Sequence, residues 1–257
     1  MIRFEAIHHD FGRGEVLKGI DVAVQPGYVT ALCGPNAAGK TTLLRLGAGL
    51  LEPTGGRVYL GDEELKAISL TARARLLGFM PQRFECTSGF CVRRVLDLAR
   101  VMTGRHQAAV ERVIDEFDLA DLLDRSVGKL SVGQCQRVAL ARVLAQVPED
   151  GIVLLDEPLS ALDPHWANRA SEVLRQRASD GATVVLSVHA LDAAARLADD
   201  LLLLAEGGLA ASGSAKEVLD PAILEAVFAV EFEVVQSQGG FPVPVPLSSQ
   251  REDAQTR

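Results

Sequence analysis

Thr30-Ala31-Leu32-Cys33-Gly34-Pro35-Asn36-Ala37-Ala38-Gly39-Lys40-Thr41-Thr42 is the stretch that decides the fold. An apolar run ends at Cys33, a loop with glycine at both ends follows, and Lys40-Thr41-Thr42 opens the apolar segment LLRLGAGL. G-x-x-x-x-G-K-[ST] between a strand and a helix is the pattern of a phosphate-binding loop. Its glycines let backbone N–H groups curl around an anion, and the helix that follows points its positive end at the same place. Lys40 is expected to reach β- and γ-phosphates and Thr41 to offer its hydroxyl to Mg2+. Gly34, Pro35, Asn36, Ala37, Ala38, Gly39 and Thr42 complete the cradle.

The flanking pattern predicts an α/β fold. Short β-branched or apolar runs recur at Val22–Val24, Tyr28–Cys33, Val58–Leu60, Ile152–Leu155, Thr183–Val188 and Leu201–Ala205, with helical spacing at Val110–Phe117 and Gln134–Gln146 between them. Alternating strands and helices imply a mostly parallel central sheet. The chain up to about Gly61 is richer in strand signals, with Gly and Pro punctuation. From about Arg83 the strands vanish, which suggests a helical lobe, residues 83–140, inserted into the core. The cassette is expected to span 1–235. Residues 236–257, QSQGGFPVPVPLSSQREDAQTR from Gln236, are polar and Pro-rich and are expected to form a loosely packed tail.

A second chemical site is predicted where the apolar run Ile152–Leu155 ends in Asp156-Glu157-Pro158. P-loop enzymes hold Mg2+ with a carboxylate at such a strand end. A carboxylate one residue further, Glu157, can take the proton of an attacking water.

Composition narrows the function. The 257 residues hold 34 acidic and 26 basic side chains, a formal charge of −8, which argues against nucleic acid as the partner. With 48% apolar residues the chain can bury a substantial core. No run of about 18 apolar residues occurs, and no secretory h-region is present at the start, so a soluble, cytosolic chain is expected. Cys33, Cys86, Cys91 and Cys135 lack the paired spacing of a metal or redox site.

Between the two sites stands Leu130-Ser131-Val132-Gly133-Gln134, followed by CQRVALARVLAQ. This resembles the LSGGQ signature and signature helix of ABC-type ATPases. Gln82 in LGFMPQ resembles the Q-loop glutamine, Ser160-Ala161-Leu162-Asp163 the D-loop, and His189 after TVVLSV the switch histidine. Phe11 in FGRGEVLKGI occupies the place of the aromatic that stacks on adenine. The resemblance covers roughly residues 2 to 215, with every motif in the expected order.

The resemblance implies a P-loop NTPase core with an N-terminal β-rich subdomain and an inserted helical lobe, and with ATP and Mg2+ as nucleotide and metal. Glu157, His189 and Gln82 would be catalytic, and Thr41, Gln82 and Asp156 would hold the metal. Phe11, the residues 34–42, Ser131, Gly133, Gln134 and Asp163 would bind nucleotide. In this family two cassettes sandwich two ATP molecules head to tail, so the partners implied are a second copy of the chain and a separate multi-span membrane permease. A periplasmic or extracellular binding protein would act indirectly. The chain would lie peripherally on the cytoplasmic face of the inner membrane.

TARARLLGFMPQ and ILEAVFAVEFEVV resemble segments of the iron-siderophore, haem and cobalamin uptake ATPases, which implies import of such a cargo. Alternatives are an importer or exporter cassette for another cargo, or a non-transport ABC ATPase or nucleotide-sensing module. Two residues depart from the family pattern. Ala37 replaces a glycine and is expected to be harmless unless φ is positive there. Val132 replaces the first signature glycine, and a β-branched residue is expected to resist positive φ and crowd its neighbours.

Overall fold

The computed structural model describes residues 1–84, 89–103 and 107–247. The chain opens with β1 (Ile2–Asp10), β2 (Glu15–Val24), β3 (Val29–Cys33), α1 (Lys40–Gly47), β4 (Gly55–Leu60), β5 (Glu63–Glu64), α2 (Leu70–Leu76) and β6 (Leu77–Met80). Then come α3 (Val92–Thr103), α4 (Gln107–Glu116), α5 (Val132–Gln146), β7 (Ile152–Leu155), α6 (Pro164–Ser179), β8 (Thr183–Ser187), α7 (Leu191–Leu197) and β9 (Asp200–Ala205). It closes with β10 (Gly208–Gly213), α8 (Ala215–Val218), α9 (Pro221–Phe228), β11 (Phe232–Gln236) and β12 (Pro242–Pro246).

Sequence character dictates which strands sit where. β3, β7 and β8 are apolar throughout or nearly so and are buried at every position. Such strands need cover on both faces, and they form the centre of a six-stranded sheet of order β10-β9-β3-β8-β7-β6. All its neighbours pair parallel except β10, which is antiparallel to β9. β1 instead alternates buried and exposed residues and pairs antiparallel with β2 and β4 in the sheet β2-β1-β4-β5. α1 lies between the two sheets. Its Leu43, Leu44 and Leu46 share one core with Ile2 and Phe4 of β1 and with Leu154 and Leu202 of the large sheet. The loop before α1 is thereby fixed from both sides.

The helical segment enters after β6 and leaves before β7. α3, α4 and the start of α5 form it, and Val95, Leu96, Val110, Val113 and Phe117 join the core that runs under the large sheet. α5 continues beyond residue 140 to Gln146, where Gln146 Nε2 donates to the carbonyl of Ala74 (2.9 Å). α4 is tied to α6 by Glu116, whose carboxylate accepts from Arg177 (2.8 Å) and Arg112 (2.8 Å). Cys86, noted above, lies outside the described residues.

The C-terminal region differs from the expected loose tail. β11 and β12 pair antiparallel from Phe232↔Pro246 to Gln236↔Pro242, and Phe232 and Val234 pack against the main core. The prolines do not prevent this, because Leu247 N donates to Glu231 O (2.8 Å) and the alternate residues 245 and 243 face β11 in the same sense. Pro242, Pro244 and Pro246 therefore occupy the outward positions, where a missing N–H costs no ladder bond and leaves the edge unable to recruit another strand. Through Leu247 the expected loosely packed tail is thus a proline-edged hairpin. Residues 248–257 lie outside the described region.

Candidate active site

β3 runs between β8 and β9, so its carboxyl end opens at the point where the strand order reverses, the usual ligand crevice of an open α/β sheet. Two glycines there are obligatory. At Gly34 φ is 137° and a Cβ would stand 2.1 Å from the carbonyl oxygen of Leu204; at Gly39 φ is 101° and a Cβ would stand 2.5 Å from Leu17 Cδ2. Between them the loop curls until Lys40 Nζ donates to the carbonyls of Gly34 (2.7 Å) and Pro35 (2.9 Å). No acidic residue of α1 itself lies in its first turn, so no side chain of the helix offsets the positive end of its dipole. Burial holds the Lys40 ammonium below the ordinary lysine value, against the opposing pull of Glu157 and Asp156.

Asp156 sits at the end of β7 with 1% of its surface exposed. Its Oδ2 accepts from Thr41 Oγ1 (2.9 Å) and its Oδ1 from Ser187 Oγ (2.7 Å). The paired hydroxyl and carboxylate oxygens are the hard donors Mg2+ takes. A set of one hydroxyl and one carboxylate oxygen fits Mg2+ completed by the phosphates of a nucleotide and water.

Glu157 follows in the left-handed region, at φ 51°. Its Oε1 lies 2.7 Å from Gln82 Nε2 and 2.6 Å from His189 Nε2. Lys40, Thr41, Gln82, Glu157 and His189 share the walls of one cleft of about 340 Å3 above the loop.

Several expected residues lie elsewhere. Phe11 is 56% exposed on the turn after β1, set edge-on to His9 at 4.5 Å, and it is Val16 that contributes to the cleft wall from this hairpin. Ser131 and Gln134 form a reciprocal cap at the start of α5, where Gly133 packs near the carbonyl of Ala161. Asp163 caps α6 by accepting from Trp166 N (3.0 Å). None of these four polar or glycine positions lines this chain's own cleft.

At Ala37 φ is 63°, so the stated exception is met and the substitution carries backbone strain. Val132 is the first residue of α5, is absent from the positive-φ positions and is 73% exposed, so it neither strains nor crowds the turn. Two contributors escaped the sequence reading. Ser187 accepts from Glu157 N (2.8 Å) while donating to Asp156, and Gln136 Nε2 donates to Glu157 O (2.9 Å). A polar residue ending an otherwise apolar strand was the available signal for Ser187.

Comparison with known proteins agrees with this geometry. The family described as ABC transporter matches residues 17–160, more than half of the chain. Hemin import ATP-binding protein HmuV of Pseudomonas entomophila is 40% identical over 238 residues, covering 90% of this chain and 93% of that protein. Cobalamin import ATP-binding protein BtuD of Halobacterium salinarum is 36% identical over 220 residues, 83% of this chain but 55% of that protein. Among solved structures, a bacterial Atm1-family ABC exporter with ATP bound superposes with TM-score 0.76 at 29% identity, over 85% of this chain and 39% of that one. A dimeric bacterial ABC transporter cassette gives TM-score 0.76 at 24% identity over 84% and 99%. The chain belongs to the ABC transporter family, as an ATP-binding subunit.

Proposed function

We propose that this subunit binds Mg-ATP in the 340 Å3 cleft, hydrolyses it with Glu157 as general base, and thereby energises import of hemin through a separate membrane permease. The observation that carries the chemistry is the convergence of Lys40, Thr41 and Glu157 on that cleft, with Asp156 buried directly behind Thr41 and bonded to its hydroxyl. Lys40 exchanges its two backbone acceptors, Gly34 and Pro35, for phosphate oxygens. Thr41 and Asp156 present oxygens to Mg2+, which when bound neutralises charge on the phosphates. Glu157 takes the proton of the attacking water, and Gln82 and His189 orient its carboxylate and the reacting groups.

Ser131, Gly133, Gln134 and Asp163, which do not line this cleft, serve the nucleotide of a second copy in a head-to-tail dimer, so each site needs both chains. Phe11, exposed on the turn after β1, stacks on adenine. No helix among the described residues is long and apolar enough to cross a membrane. On this reading the permease is a separate chain, as for the hemin import ATP-binding relative, and this subunit works peripherally at the cytoplasmic face. A periplasmic or extracellular binding protein delivers cargo to that permease. Hemin is preferred to cobalamin because the hemin-import relative is matched over nearly its whole length, the cobalamin one over about half. The test is growth and uptake by a strain lacking this chain, supplied in turn with hemin, a ferric siderophore and cobalamin. Loss of hemin uptake alone, restored by the wild-type chain and not by Lys40→Ala, is expected. Normal hemin uptake with a defect in another solute would refute the cargo.

A further inference from the structure

Glu157 combines two demands that oppose each other. Its carboxylate has to be held within reach of a water over the cleft, yet its backbone adopts φ 51°, a conformation that L-residues avoid. Such a conformation persists only where the surroundings over-determine it. Three features do so here. Pro158 follows directly and disfavours the right-handed helical alternative at the residue before it. Ser187, 1% exposed at the end of β8, accepts from the Glu157 N–H at 2.8 Å and uses its own hydrogen on Asp156 Oδ1 at 2.7 Å. Gln136, 5% exposed on α5, donates from Nε2 to the Glu157 carbonyl at 2.9 Å, an oxygen that also accepts from Ser160 Oγ at 3.1 Å.

We propose that Ser187 and Gln136 are positioning residues for the general base: they grip the Glu157 peptide from β8 and from α5 and so fix where its carboxylate stands over the cleft. The inference rests on Glu157 being the base. Both side chains are buried polar groups whose hydrogen bonds are spent on this one residue and its neighbour Asp156, and neither lines the cleft itself. Their effect is on aim. Displacing a reacting group by about 1 Å costs on the order of 100-fold in rate, so loosening the peptide should lower turnover and leave ground-state nucleotide binding in place. Ser187 carries a second duty, because its hydroxyl also orders the carboxylate that faces Mg2+; Gln136 does not, and it isolates the effect on Glu157.

Steady-state phosphate release by the purified full chain, with nucleotide affinity followed by a fluorescent ATP analogue and folding by thermal melting, tests the proposal. Gln136→Met, which keeps length and removes the donor, should lower kcat by roughly 10- to 100-fold with KM for ATP changed by less than about threefold. Gln136→Leu serves in its place if the methionine variant does not fold. Ser187→Ala should lower kcat similarly, and Ser187→Thr, which keeps the hydroxyl, should recover most of it. In a Glu157→Gln background the Gln136 substitution should have no further effect, since the residue it aims no longer takes a proton. A Gln136 variant with wild-type kcat would overturn the proposal, and so would the same fold-loss appearing again on top of Glu157→Gln. A Glu157→Gln enzyme turning over normally would instead refute the base itself, a distinguishable outcome.

Discussion

Replacing Ala37 by glycine should stabilise the protein, and the size of the gain follows from three observations. Ala37 is held at φ 63°, where an L-residue loses roughly 1–2 kcal/mol relative to its preferred conformations. Its methyl group is exposed, so almost no packing is lost with it. Glycine gives the unfolded chain more freedom, which costs roughly 0.4–1 kcal/mol. The difference is a net stabilisation of about 0.5–1 kcal/mol, or a rise in melting temperature of roughly 1–4 °C for a chain of this size. Differential scanning calorimetry of the two purified proteins checks it, with ATP affinity measured alongside. The loop already has the glycine-like conformation, so affinity should stay within about threefold. A fall in melting temperature would refute the account, showing that the methyl group makes a contact worth more than the strain it carries.

Val132→Gly should change stability by less than about 1 kcal/mol and leave turnover equal or higher, because Val132 sits exposed in helical conformation; a loss of turnover above tenfold would reveal a contact the valine makes in the working enzyme. Lys40→Ala should abolish measurable ATP binding while the fold survives, as read by equilibrium binding and circular dichroism, since the phosphates lose their main side-chain cation. Cys33, whose thiol burial pushes up to about 12, is protonated throughout the neutral range. The folded protein should therefore leave Cys33 unmodified by a thiol reagent at about pH 8.5, where the thiolate fraction is on the order of one in three thousand, and mass spectrometry should find it modified only after unfolding.

What the sequence disclosed depended on how local the physics was. The phosphate loop was legible because strand, glycines, Lys40 and Thr41 are contiguous and each is required by the same anion. The buried strands β3, β7 and β8 were legible as continuous apolar runs. Gln136 was not, since a glutamine within a helix carries no distinguishing pattern, and Ser187 was marked only by ending an apolar strand, which does not reveal the Glu157 peptide that folding brings to it. The cost of the two glycine replacements was not legible for a similar reason: the φ at Ala37 and at Val132 is set by the turn and the helix cap around each, and residue type alone does not report it. The β11–β12 hairpin was hidden by composition, because proline count argues for disorder whereas proline spacing, every second residue, is what lets the edge form.

The measurement that bears most directly on the account is phosphate release by the purified chain with Mg-ATP, wild type beside Glu157→Gln. The amide preserves size and both neighbours of Glu157 but cannot accept the proton of the attacking water. Turnover by the wild type, with at least a roughly 100-fold loss in the variant and undiminished ATP binding, is the expected result. Equal turnover by the two proteins would contradict the assignment of Glu157 as the base on which this cleft is built.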